Sequence, residues 1–179
     1  VDDESFRLVL SPLPIIGNDL PPSNPGDVYE NSIPRETAIL NLAKRIADKG
    51  GAALIIDYGH TISTNGDTLQ AIQSHKYTDP LKNPGQADIT SHVNFQVLRQ
   101  SAESAGTQAY GPVSQSKFLQ QLGIFFRADR LRLGATTEQQ TDIDLAIHRM
   151  TNKDQTGELF KVLAITRHSD PTPAGFKET

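Results

Sequence analysis

The run Gly50-Gly-Ala-Ala-Leu-Ile-Ile-Asp-Tyr-Gly-His60 constrains the fold of this chain more than any other stretch. Residues 52–56 are apolar without a break and end abruptly in a carboxylate, a phenol, a glycine and an imidazole. A run apolar on both faces reads as a central strand of a parallel sheet, covered by helices on each side. In such sheets ligands gather just beyond the carboxyl ends of the strands, where Asp57, Tyr58, Gly59 and His60 fall. The segment before it supports an αβ unit. Ile39, Leu42, Ala43 and Ile46 recur at helical spacing over 35–49, Pro34 suits a first helical turn, and Gly50-Gly51 supplies the stop.

The rest of the chain repeats the alternation. Residues 6–10 predict a short strand, and 11–27 a loop crowded with proline and glycine. A brief extended segment is expected at 27–30. The polar stretch 60–90 holds one short helical candidate at 67–75 and the breakers Pro80, Pro84 and Gly85; its length suggests a functional or mobile insertion. A helix over 92–105, capped by Thr90 or Ser91 and stopped by Gly106, leads to a weak strand at 107–113 that Gly111-Pro112 interrupts. Ser114 opens a helical pattern that breaks at Gly123 and resumes to 131. Thr136 or Thr137 caps another helix, with Gln139 or Gln140 completing a capping box. A strand over 160–166 and a frayed tail over 170–179 close the chain.

With 179 residues this is read as a single domain, 1–179. About three sheet strands are too few for a free-standing doubly wound sheet. Together with a start, Val1-Asp-Asp-Glu-Ser, that has no initiating Met, this predicts a piece of a longer protein. The net charge of −4 and the lack of a clustered basic stripe argue against nucleic-acid binding. No apolar run approaches the roughly 18–20 residues of a membrane span. The chain has no cysteine, which removes disulfides, thiolate metal sites and cysteine nucleophiles. No signal or transit peptide is visible, so the composition does not report the compartment.

Asp57-Tyr-Gly-His60 allows two readings: a turn cap, a packed ring and a solvated imidazole, or a carboxylate holding a cation while His60 or Tyr58 moves a proton. Position at the sheet's carboxyl edge favours the second. His60, His75 and His92 with Asp67, Asp79 and Asp88 match no compact ligand spacing, so no metal is expected. Glu30 precedes the first helix, where a favourable charge on the helix dipole and a substrate contact are equally open. Phe125-Phe126 with Arg127, Arg130 and Arg132 reads first as a basic helix end, and second as a partner surface.

Several segments taken in order resemble one family. They are Gly50 to His60, Gly66-Asp-Thr-Leu-Gln-Ala71, His75, Pro84-Gly-Gln-Ala-Asp-Ile-Thr90, Val93-Asn-Phe95, Gly111-Pro112, Gln115, Phe118-Leu119 and Leu122-Gly-Ile124. The chain resembles the MidA family of S-adenosylmethionine-dependent class I methyltransferases, whose mitochondrial members are arginine methyltransferases needed for assembly of respiratory complex I. Asn94 departs from the aspartate usual there. The resemblance implies a Rossmann-like α/β fold, of which this chain supplies the C-terminal portion, with helices on both faces and a substrate-side lid at 60–90. The family's glycine-rich cofactor loop lies in an N-terminal half not found in these residues, so S-adenosylmethionine would bind through that half. Asp57 and Glu30 are then expected to orient a substrate guanidinium, with Tyr58 and His60 in support. Gly59, Asp67, Thr68, His75, Asp88 and Thr90 would contact or enclose the substrate. The implied partner is a complex I subunit, the implied compartment the mitochondrion, and a homodimer is among the assemblies allowed. The alternative is a non-catalytic assembly protein on the same scaffold.

Overall fold

The structure, a computed structural model, describes residues 6–13 and 20–177. In chain order these form α1 (Ile33–Lys49), β1 (Ala53–His60), β2 (Gln70–Gln73), β3 (Lys76–Thr78), β4 (Asp88–Thr90), β5 (Val93–Asn94) and α2 (Phe95–Ser104). They continue as β6 (Gln108–Ser114), α3 (Gln115–Gln121), α4 (Ile124–Arg132), α5 (Thr137–Thr151), α6 (Thr156–Leu159) and β7 (Phe160–Thr166). Two compact units result: Val1–Asn31 with Thr64–His92, and Ser32–Ser63 with Val93–Thr179.

The larger unit is a mixed sheet, β5-β1-β7-β6, with helices on both faces. β7 is antiparallel to β1 and to β6, and β1 runs parallel only to the short β5. Alternation along β7 divides the core. Leu163 and Ile165 face Ala43 and Ile46 of α1 and Leu98 and Ala102 of α2, while Val162 and Ala164 face Phe118 of α3 and Phe176. Val162, Leu163 and Ile165 are fully buried. Truncating Leu163 to alanine would therefore be expected to cost about 2–5 kcal/mol.

Helix boundaries follow local chemistry. Pro34 sits in the first turn of α1, and Gly50, at φ 80°, ends it by donating its N–H to the Ile46 carbonyl at 2.8 Å. The Ser114 hydroxyl caps α3, and Thr136 with Gln139 makes the reciprocal capping box of α5. Gly123, left-handed at φ 82°, separates α3 from α4. Arg132 on α4 joins Asp129 and, at 2.5 Å, Asp144 on α5; its hydrogen bond to Asp144 raises the guanidinium pKa further above its ordinary value. That pair is exposed and contributes little to stability. Phe126 and Leu133 stay almost entirely in solvent.

The smaller unit holds a three-stranded antiparallel sheet, β3-β2-β4. No helix among the described residues is long and apolar enough to cross a membrane.

Five sequence expectations change. The strand buried on both faces is β7: on β1 the side chains of Leu54 and Ile56 are about half exposed, 52% and 47%. The sheet is mixed, because the strand beside β1 is the antiparallel β7. Residues 67–75 form no helix. Ser74 and His75 take φ 50° and 62° and turn β2 back onto β3, a two-residue hairpin whose twist suits the flanking strands. Residues 6–10 form no strand; the Phe6 N–H bonds to the Leu81 carbonyl at 2.7 Å, and the side chains are exposed. The tail is not frayed through 177, since Phe176 is buried against the Phe118 ring, 5.3 Å between centroids. In the proline-rich 11–27 loop a turn closes from Asp27 to Asn24; residues 14–19 of that loop, like 1–5 and 178–179, lie outside the described residues.

Candidate functional site

In the larger unit the site residues stand on the last half of β1. The strand does not stop at Ile56. It continues through His60 because Gly59 and His60 pair with Val93 and Asn94 of β5. Asp57, Tyr58, Gly59 and His60 therefore belong to the strand and alternate in direction. Asp57 falls on the face of Ala53 and Ile55, toward α1 and α2, whereas Tyr58 and His60 share the face of Leu54 and Ile56. They do not form the single cluster that their adjacency in the sequence suggests.

Asp57 is half-buried and its Oδ1 accepts the Tyr58 N–H at 2.8 Å. Its cross-strand neighbour is Lys161, whose ammonium donates to the Glu158 carbonyl. Tyr58 packs edge-on against Phe160, centroids 5.6 Å apart and planes at 86°. Gly59 is required for a reason other than ligand access. A Cβ there would overlap the Val93 carbonyl oxygen, so the close approach is made by β5 itself.

Beside the strand end, Asn94 caps α2 by accepting the Val97 N–H at 3.3 Å and donates to the Ser63 hydroxyl at 2.8 Å. The Ser63 N–H donates to the Gln96 side chain at 2.7 Å. Ser63 and Gln96 thus fasten the segment after β1 to the start of α2. Sequence reasoning missed both. The departure at Asn94 becomes intelligible here, since an amide supplies the cap acceptor and a donor together.

In the smaller unit Glu30 is an organising group. Its Oε1 accepts the N–H groups of Thr68 at 3.0 Å and Leu69 at 2.8 Å, and its Oε2 accepts the Thr68 hydroxyl. Thr68 Oγ1 in turn accepts the His92 N–H at 2.9 Å. Of the expected substrate contacts, only Thr68 is joined to Glu30. Asp67 is exposed, His75 occupies the hairpin turn in solvent, and Asp88 and Thr90 lie on β4 opposite Ile72 and Gln70. A cavity of about 410 Å³ is lined by Leu20, Tyr29, Glu30, Asn31, Leu69 and Ser91. A cavity of about 400 Å³ between α4 and α5 is lined by Leu131, Gly134, Ala135, Gln139, Asp142 and Ile143.

Fold and residues together place the chain among known proteins. Residues 2–113 match the model of a family described as "Putative S-adenosyl-L-methionine-dependent methyltransferase", and the chain belongs to that family. It is 38% identical over 167 residues to the mitochondrial protein arginine methyltransferase NDUFAF7 homolog of Drosophila melanogaster, a match covering 91% of this chain and 38% of that protein. With mitochondrial protein arginine methyltransferase NDUFAF7 of Xenopus tropicalis the identity is 34%, over 98% of this chain and 42% of the relative. Two crystal structures of Burkholderia thailandensis proteins superpose with TM-scores of 0.67 and 0.66 at 27% identity, each over 76% of this chain and 39% and 38% of theirs; the second is bound to S-adenosyl-homocysteine. The chain spans about two-fifths of the length of these proteins.

Proposed function

We propose that these residues form the substrate-side, C-terminal part of a protein arginine methyltransferase that uses S-adenosylmethionine and acts in the mitochondrion on a subunit of respiratory complex I. The observation that carries the reading is the polar end of β1, where Asp57, Tyr58 and His60 close the strand beside the start of α2. The relatives' names, NDUFAF7 protein arginine methyltransferase, support the reaction and the compartment. β1 has a partner on one side only along residues 53–58, an edge suited to further strands of the same sheet.

Among the described residues no glycine-rich turn follows a strand in the manner of a nucleotide cradle, and no residue here is assigned to hold the cofactor. When bound, the cofactor supplies an electrophilic methyl group on sulfur. The roles left to this chain concern the acceptor. A guanidinium stays protonated at physiological pH, with a pKa above about 12, and its lone pair is delocalised. A carboxylate that grips the fork holds one nitrogen in line and stabilises the charge that remains. Asp57 takes that role in the larger unit, and Tyr58 and His60, on the opposite face of β1, support the strand end from there. In the smaller unit Glu30 is the equivalent carboxylate, Thr68 its anchor, and Asp67, His75, Asp88 and Thr90 are that unit's own candidates for substrate contact; in the larger unit Gly59 keeps the strand end closed against β5.

The test uses the complete gene product containing these residues, S-adenosylmethionine with a labelled methyl group and an arginine-bearing complex I subunit. Label is expected on arginine with the wild type and is expected to be lost in Asp57→Ala with an unchanged unfolding midpoint. Full activity in that variant would remove Asp57 from the mechanism. No label on arginine with the wild type would refute the function and leave the non-catalytic assembly role.

A further inference from the structure

We infer that the outward face of α4 is a dimer interface, on which a second copy of this protein lays its own α4 antiparallel. Phe126, Asp129, Arg130 and Leu133 are spaced i, i+3, i+4 and i+7 and so share one face of the helix. The other face is turned to the rest of the unit: Ala128 is buried there, and Arg132 reaches Asp144 on α5. On the outward face Phe126 and Leu133 are 80% and 79% exposed, with Phe125 beside them at 46%. Large apolar side chains bare on one stripe and rimmed by charge mark an interaction surface.

The stripe is complementary to itself. A twofold contact needs residue i to meet residue j and j to meet i. With a second α4 turned antiparallel about an axis between Asp129 and Arg130, Phe126 meets Leu133 of the second copy and Asp129 meets Arg130, each twice. Both charges are available for this. Asp129 touches Arg132 through Oδ1 at 2.6 Å, yet its side chain is 70% exposed. Arg130 takes part in no ion pair among the described residues. At about 200 Å² for a bare large side chain, Phe125, Phe126 and Leu133 expose on the order of 400 Å². With the stems of Asp129 and Arg130, two copies bury about 1,000 Å², the lower end for a specific interface.

Other occupants fit less well. β1, whose edge is unpaired along residues 53–58, is separated by β7 from β6, the strand that leads into α3 and α4. Strands added past β1 thus extend the sheet on the side away from β6. An anionic membrane surface favours clustered cations, whereas this stripe carries Asp129 beside Arg130 and the chain has a net charge of −4.

The test is sedimentation velocity of the complete gene product containing these residues, over roughly 1–100 µM, a range suited to a small interface. The wild type is expected to pass from monomer to dimer across it. Arg130→Glu sets a carboxylate against Asp129 at both symmetric contacts and is expected to raise the dissociation constant about tenfold or more. Phe126→Ser is expected to leave monomer throughout, and the reversed pair, D129R/R130D, to dimerise again. Should the reversed pair lose stability with the Asp129–Arg132 contact, Arg130→Glu and Phe126→Ser, both at exposed positions, decide alone. A wild type that stays monomeric over the whole range would overturn the interface; if Phe126 also resisted hydroxyl-radical labelling, the face would belong to the rest of the same chain. A dimer that survives Phe126→Ser and Arg130→Glu would put the contact elsewhere. A folded D129R/R130D that stays monomeric would overturn the antiparallel pairing.

Discussion

A methyl group built on Gly59 would overlap the carbonyl oxygen of Val93, and this tells more about the site than the glycine's flexibility does. β5 is drawn so close to β1 that only hydrogen fits between them, and the same pairing sets the direction of Asp57, Tyr58 and His60. Gly59→Ala is expected to destabilise the larger unit by about 1–3 kcal/mol, the usual cost of overpacking. Urea unfolding measures it, and a change below a few tenths would show that β5 yields without cost. At this scale the sequence revealed the identity of the polar cluster but not its geometry. The apolar run 52–56 announced a strand, yet its continuation to His60 depends on Val93 and Asn94, more than thirty residues away in the chain. Glu30 is a similar case. Nothing in its neighbours signals that Thr68 and Leu69 will fill its oxygens, because the partners lie thirty-eight and thirty-nine residues further on. Asn94 was visible as an exception and became explicable only when Ser63 and Val97 were placed around it.

Among the elements, those fixed by local chemistry were legible and those fixed by pairing were not. α1 with its Pro34 start and Gly50 stop, the Thr136–Gln139 capping box and the break at Gly123 are all written in adjacent residues. β7 was also found in full, 160–166, but its place at the buried centre of the sheet was given to β1. Both segments are short apolar runs, and periodicity does not distinguish a strand covered on two faces from one covered on one. The β2–β3 hairpin was read as a helix since Ser74-His75 lacks the Asn-Gly signature that such turns favour. The positive φ angles of both residues carry a cost of roughly 1–2 kcal/mol each for side chains with a Cβ. Replacing the pair, S74N/H75G, is therefore expected to raise the stability of the smaller unit by about 1 kcal/mol. Slower amide exchange at residues 71–73 and 76–78 would register it; faster exchange would argue that the His75 side chain holds the hairpin by a contact of its own.

The molecule as a whole comprises two units, one built on the mixed sheet and one on the small antiparallel sheet. The fold class was readable because α and β patterns alternate and the ordered motif set is specific to one family, a likeness that family membership bears out. What the residues could not announce is the antiparallel β7 between β1 and β6, which follows from sheet topology rather than from any local pattern. Leu54 and Ile56 are half exposed, and residues 53–58 pair on one side only, so this edge of β1 has room for further strands of the sheet. The proposed function places the reaction at the polar end of β1. Hydrogen exchange of the complete gene product, with and without S-adenosyl-homocysteine and an arginine peptide, addresses this most directly. Exchange at the amides of Asp57, Tyr58, Gly59 and His60 is expected to slow when both are bound. Unchanged exchange there, with protection confined to other segments, would contradict the placement of the site at the end of β1.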